Sequence, residues 1–279
     1  MRIRERRSVH SERLLLASLM VVVAFLVGPA GCELPEPGPS YPGELLIVTW
    51  NVRGYPENDP CERTWFHAEL QRLHPDVLCI QEIANQERVD EFLQTETAFT
   101  QVAFVNSTDG QDNAIFATQS VALEDMSDPQ GFQHPAQCAR VSSGGFDAVV
   151  VTVHLSWSDT AQREQEKRLL EDVVSQALAI DPDVIVVGDF NTEGPEIETL
   201  AQAIGFDVMN PVGQEGIGTT YAEHRYDHFL ISPDLAAEEA ISCQIKTYSG
   251  SDLDTAKRVS DHRPVVARFS IGSQFRDRP

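Results

Sequence analysis

The stretch that decides the fold is Asp183-Val184-Ile185-Val186-Val187-Gly188-Asp189-Phe190-Asn191-Thr192, an apolar run ending in a carboxylate and a carboxamide two residues apart. Four successive β-branched residues suit a strand covered on both faces, and Pro182 with Asp183 marks its start. Gly188 lets the backbone bend and leaves room beside it. Asp189 and Asn191 are expected on one side of an extended segment, an acceptor and a donor aimed at a single bound group. The plainer alternative is a strand that ends in an Asx-turn.

A second copy of the pattern favours the functional reading. Pro75-Asp76-Val77-Leu78-Cys79-Ile80-Gln81-Glu82 again places an acid seven residues after a proline, as Asp189 stands after Pro182. Two buried strands that each deliver a carboxylate at the C-terminal end place it where α/β sheets bind their ligands. Converging carboxylates repel unless a cation lies between them, and a hard divalent ion suits oxygen ligands.

Working outward, other apolar strands also carry polar residues of catalytic type at their ends. Leu45 to Trp50 leads to Asn51, Phe146 to Val153 leads to His154, and Asp261-His262 precedes the strand Val265 to Ser270. Asp227 lies inside its own apolar run, where a carboxylate needs a partner such as the Asp261-His262 pair. Gly144-Gly145 reads as a hairpin turn. Asp59-Pro60-Cys61-Glu62 reads as a capped helix start with Phe66, Leu70 and Leu73 on the core face. Leu169, Leu170, Val173, Val174, Ala177 and Leu178 form the stripe of a second helix, and further helices are expected near Glu87–Leu93 and Glu196–Ile204. The acidic segment Leu123 to Pro129 is expected as a surface loop. Trp50 and Trp157 are expected to be packing residues, and His67, His74, His134, His224 and His228 ordinary structural histidines.

The chain has 279 residues, 42% hydrophobic and 23% charged, with a net charge of −22. Its N-terminus differs from the rest. Five arginines precede the apolar run Leu14 to Val27, a secretory signal too short to span a bilayer comfortably. Ala30-Gly31-Cys32 resembles a bacterial lipoprotein cleavage box, although Pro29 departs from the usual aliphatic residue. The expectation is therefore a signal at 1–31, lipidated Cys32, a proline-rich tether at 32–44, one domain at 45–272 and a tail at 273–279. This would locate the protein in a bacterial cell envelope, periplasmic or on the outer surface, anchored to a membrane. Without residues 1–31 the chain keeps 16 basic and 41 acidic residues, a charge of −25, and only three lysines. That argues against a generic cationic surface for nucleic acid. Cys61, Cys79, Cys138 and Cys243 allow three complete pairings, with Cys79 placed as a buried thiol inside its strand.

Thr49-Trp50-Asn51, Gln81-Glu82, Val153-His154-Leu155, Gly188-Asp189-Phe190-Asn191, Arg225-Tyr226-Asp227-His228 and Ser260-Asp261-His262 together resemble the endonuclease/exonuclease/phosphatase superfamily, in family order. The resemblance implies an α/β sandwich of two packed, mostly antiparallel mixed sheets with outer helices. It implies that Glu82 binds Mg²⁺ or Mn²⁺ with help from Asn51 and Asp261. Asp189 would activate water, Asn191 and His154 would contact the phosphoryl group, and His262 would do so oriented by Asp227. Arg53, in a place where abasic-site endonucleases tend to carry an acid, would bind substrate, and Arg225 and Arg263 could join it in a local cationic cluster. The implied activity is hydrolysis of a phosphodiester, nucleic acid or phospholipid, with nuclease-like action ranked first. Sphingomyelinase or phospholipid phosphodiesterase action follows, then inositol phosphate hydrolysis. From other classes, a catalytically silent binding lipoprotein would be expected to lose one of these acids, and a calcium-binding envelope protein would be expected to carry a sequential calcium loop.

Overall fold

The computed structural model describes residues 43–54, 59–107, 110–126 and 129–272. The signal segment, Cys32, the tether up to residue 42 and the tail at 273–279 lie outside the described residues. The first half of the chain forms β1 (Glu44–Asn51), α1 (Pro60–Leu73), β2 (Val77–Ile83), α2 (Gln86–Thr95), β3 (Phe99–Phe104), β4 (Asp112–Thr118), β5 (Ala122–Asp125) and β6 (Gln137–Ser143). Then come β7 (Phe146–His154), α3 (Thr160–Leu178), β8 (Val184–Asp189), α4 (Pro195–Ile204), β9 (Asp207–Val208) and β10 (Asp227–Ile231). The last elements are α5 (Pro233–Glu238), β11 (Ala240–Ile245), α6 (Gly250–Val259) and β12 (Val265–Ser270).

The strands form two six-stranded sheets, in the orders β11-β12-β1-β2-β4-β3 and β5-β6-β7-β8-β10-β9. Each contains one parallel pair at its centre, β1 with β2 and β7 with β8, flanked by antiparallel neighbours. The parallel pairs need crossovers, which α1 and α3 provide. The result is the expected α/β sandwich.

Strand alternation builds its layers. Leu45, Ile47, Val77, Cys79, Val150, Ile185 and Val187 face inward and fill the space between the sheets. Leu46, Val48, Leu78 and Ile80 point the other way, against Trp65, Phe66 and Leu70 of α1 and Val89 and Phe92 of α2. On the far side Val149, Val184 and Val186 pack on Leu170 and Val174 of α3 and Leu200 of α4. Trp50 is 1% exposed and packs as expected.

Several local expectations are corrected. Ala122–Asp125 forms an edge strand, β5, rather than a loop; exposed charge is tolerated at an edge. Asp59 caps α1 through the Cys61 N–H, but Glu62 does not complete a capping box and instead accepts from Arg258 of α6. Leu178 is exposed, and the buried face of α3 includes Glu166 and Lys167. Cys79 and Cys243 are free and buried, so none of the three complete pairings forms. Burial pushes the Cys243 thiol up to about 12, and the Cys79 thiol also upward.

Candidate active site

Both parallel pairs point their C-terminal ends to the same edge of the sandwich, and there the inward-facing row turns from apolar to polar. Ile47 gives way to Thr49 and Asn51, Cys79 to Gln81, Val150 to Thr152 and His154, and Val187 to Asp189. The antiparallel strands β10 and β12 begin at this edge, bringing Asp227 opposite Asp189 and His262 close by. A buried polar floor joins the sheets beneath: the Thr49 hydroxyl donates to Gln81 Oε1 at 3.2 Å, and Gln81 Nε2 donates to Thr152 Oγ1 at 2.9 Å.

Above this floor, Asn51 Nδ2 donates to Glu82 Oε1 at 2.9 Å and to Asp189 Oδ2 at 3.1 Å. One amide thus bridges carboxylates from opposite sheets. His154 Nε2 stands 3.8 Å from Glu82 Oε1 and 3.7 Å from Asp189 Oδ2. His262 Nε2 lies 3.6 Å from Asp189 Oδ2, while its Nδ1 is paired with Asp227 Oδ2 at 2.8 Å.

Two backbone features make this possible. Regular alternation would turn Glu82 toward the helices with Leu78 and Ile80, but its φ of 61° is left-handed and the β2–β4 register shifts between Ile80 and Ile83. The bulge re-aims the carboxylate. At Gly188, φ is 132° and a Cβ would sit 2.1 Å from the Val153 carbonyl oxygen, so only glycine fits between β7 and β8. Asn191 is not on a continued extended segment. Its φ is 46°, its N–H donates to Asp189 Oδ1 at 2.9 Å in an Asx-turn, and its Nδ2 donates to the Leu155 carbonyl at 2.7 Å. The plainer Asx-turn alternative therefore holds, and it serves the site: the turn occupies Oδ1 of Asp189 and leaves Oδ2 facing the histidines.

Electrostatics separate the two histidines. Burial pulls His262 down, but the charge and hydrogen bond of Asp227, with Asp189 and Asp261 nearby, push it up to about 10, so its imidazole is charged at neutral pH. Burial raises Asp227, with His262 opposing; keeping the proton on the imidazole neutralises the pair. His154 is shifted down, chiefly by burial, against the pull of Asp189, and stays neutral.

The oxygen-rich donor set around Glu82, Asn51 and Asp189 fits a hard divalent cation. Among the described residues, the acids and histidines close enough to share one ion are Asp189, Asp227 and His262, with ligand atoms within 4.8 Å of one another. A charged His262 bound to Asp227 has no lone pair to offer, which leaves Glu82 as the better metal carboxylate. Asp261 is exposed beside His262, and Arg53 is exposed with a φ of 49°. The arginine cluster does not form. Arg225 donates to the Ile217 and Gln214 carbonyls, and Arg263 to those of Gly218 and Thr220 and to Glu223, so both pin the 212–224 loop.

Three residues enter the picture that sequence reasoning set aside, as with His134 and Trp157, or missed, as with Glu166. His134 stacks on His154 with ring centroids 4.5 Å apart. Glu166, fully buried, accepts from the Gln133 and Ser156 N–H groups, tying together the segments that carry His134 and follow His154. Its signal was visible as a charge at the i, i+4, i+8 spacing with Leu170 and Val174. Trp157 is 75% exposed, which corrects its expected packing role.

Paired acids bridged by an amide stand beside two buried histidines at the mouth of a two-sheet sandwich, a set of groups suited to phosphoester hydrolysis. The chain belongs to the Endonuclease/Exonuclease/phosphatase family, whose model matches residues 48–262. Among solved structures, D. rerio TDP2 complexed with single-strand DNA product is similar over 81% of this chain and 99% of that one, with a TM-score of 0.65 and 20% identity. Truncated Caenorhabditis elegans TDP2 gives a TM-score of 0.62 at 20% identity over 81% and 97% of the two chains. A mannosyl-6-phosphatase of Bacteroides thetaiotaomicron gives 0.60 at 15% identity over 81% and 99%. These likenesses are of fold. No curated protein matches the chain.

Proposed function

We propose that this protein is a metal-dependent phosphodiester hydrolase acting on nucleic acid. The observation that carries the reading is the Asn51 amide bridging Glu82 and Asp189, with His154 and His262 within 4 Å of the Asp189 oxygen. Glu82, assisted by Asn51 and from the rim by Asp261, would hold Mg²⁺ or Mn²⁺. When bound, that ion neutralises phosphate charge and so lowers the barrier to attack by an oxygen nucleophile. Asp189 accepts the proton of the attacking water through Oδ2, since Oδ1 is committed to the Asn191 N–H. The charged His262, fixed by Asp227, donates to a phosphoryl oxygen as negative charge builds. Asn191 adds its second amide proton, and neutral His154 faces the leaving oxygen as a hydrogen-bond donor while that oxygen takes its proton from water.

Nucleic acid ranks first because a structural neighbour, TDP2, is complexed with single-strand DNA product. A phosphatase neighbour keeps phosphomonoesters as the second reading. Hydrolysis of bis-p-nitrophenyl phosphate should vanish with chelator and return with Mg²⁺ or Mn²⁺; metal-independent turnover would overturn the reading. A panel of single-stranded DNA, duplex DNA, RNA, sphingomyelin vesicles and sugar or inositol phosphates then ranks substrates. We also propose that lipidated Cys32 anchors the protein in the cell envelope. Among the described residues no helix is long and apolar enough to cross a membrane. Cys32→Ser should therefore move the protein to the soluble fraction, and retention would point to an uncleaved signal.

A further inference from the structure

Trp157 follows His154 by three residues, within a chain length of roughly 10 Å. Its neighbours are held firmly. The Leu155 N–H donates to the Asp189 carbonyl at 2.9 Å, and the Leu155 carbonyl accepts from Asn191. The Ser156 N–H donates to buried Glu166 at 2.8 Å, and the Ser156 and Trp157 carbonyls share the Arg163 guanidinium at 2.7 and 3.1 Å. A segment with its backbone fixed in this way has no disorder to excuse an exposed indole. Trp157 is the one aromatic among the large exposed apolar side chains of the described residues.

On the segment that leads into β10 and Asp227, the His224 and Tyr226 rings stack with centroids 4.9 Å apart and nearly parallel. Two of the cations expected at this mouth, Arg225 and Arg263, are spent on carbonyls of their own loop. An acidic protein that must hold a polyanion needs contacts that do not depend on charge, and base–aromatic stacking is such a contact.

We propose that Trp157 is a stacking platform for an unpaired nucleobase next to the scissile phosphodiester, which makes single-stranded nucleic acid the preferred substrate; this rests on the phosphodiesterase reading. Bases in a duplex are already stacked and gain nothing from the platform.

Binding is measured with labelled oligothymidylate in an Asp189→Asn background, which prevents cleavage, and repeated in His262→Ala. Trp157→Ala is expected to weaken binding about tenfold, and Trp157→Phe to restore most of the loss. Trp50 and Trp65 are each 1% exposed, so the solvent-exposed emission belongs to Trp157, and the oligonucleotide should quench it. Duplex of equal length should bind more weakly and quench less. Unchanged affinity in Trp157→Ala overturns the platform, as does equal binding of duplex. A blue shift with sphingomyelin vesicles and none with oligonucleotide would assign Trp157 to a lipid surface, and quenching only by sugar phosphates would assign it to a carbohydrate. Wild-type turnover of bis-p-nitrophenyl phosphate reports on the catalytic reading separately, so the platform can fail while that reading stands.

Discussion

Glu82 and Asp189 each close an apolar strand that starts from Pro-Asp-Val, yet the two strands are out of phase. Val77 faces the inter-sheet core, whereas Val184, at the same place after its proline, faces the helices. Asp189 therefore arrives in the site by simple alternation, while Glu82 would face away and is brought in by a left-handed residue and a bulge. Similar sequences reach one site by different backbone routes, the first route strained and the second relaxed. A residue of this kind at positive φ costs about 1–3 kcal/mol, so the Glu82 half stores strain where the ligand is expected.

The largest test of this asymmetry is catalytic. Asp189→Asn should lower kcat by roughly a hundredfold or more at any metal concentration, because it removes the proposed proton acceptor. Glu82→Gln should instead lose activity that rises again with added Mn²⁺ in a metal titration. Identical metal responses in the two variants would erase the division of labour. Next in size is Gly188→Ala, expected to destabilise by about 3 kcal/mol in urea unfolding, since the new methyl meets the Val153 carbonyl and the backbone is left-handed. Glu82→Gly should go the other way, raising stability by about 1 kcal/mol as the strain is released, while activity is lost. A loss of stability there would mean that Glu82 is not strained.

The smallest effect concerns pH and the Asp189 half alone. His228, half-buried with Nε2 donating to the Thr192 and Arg225 carbonyls, is shifted down by burial against the pull of those bonds. The unfolded chain takes up a proton on it below about pH 6.5 and the fold resists. Its contribution is therefore complete above that pH and fades as the pH falls toward the lower folded value. The stability advantage of wild type over His228→Gln, followed by urea midpoints, should shrink between pH 7.5 and 5; a constant or growing advantage would reverse the assignment.

Much of this site was legible because strand alternation is a strong signal: a polar residue ending an apolar row marks the mouth, as at Asn51, His154 and Asp189. What stayed hidden depended on geometry that composition does not encode. Nothing in Ile80-Gln81-Glu82 announces a left-handed acid. Arg225 and Arg263 look like phosphate ligands until their carbonyl partners appear. Trp157 looks like core because most tryptophans are, and His134 is separated from His154 by a whole hairpin.

The pairing of β1 with β12 has a consequence in time. Asn51 lies at the end of the first described strand and His262 just before the last, and the Ser260 hydroxyl donates to the Asn51 carbonyl at 2.6 Å. Contacts this distant in sequence form late and slowly. A chain emerging from the ribosome thus carries Asn51, Glu82 and Asp189 before His262 can join them, and the site stays incomplete until its closing strand has docked.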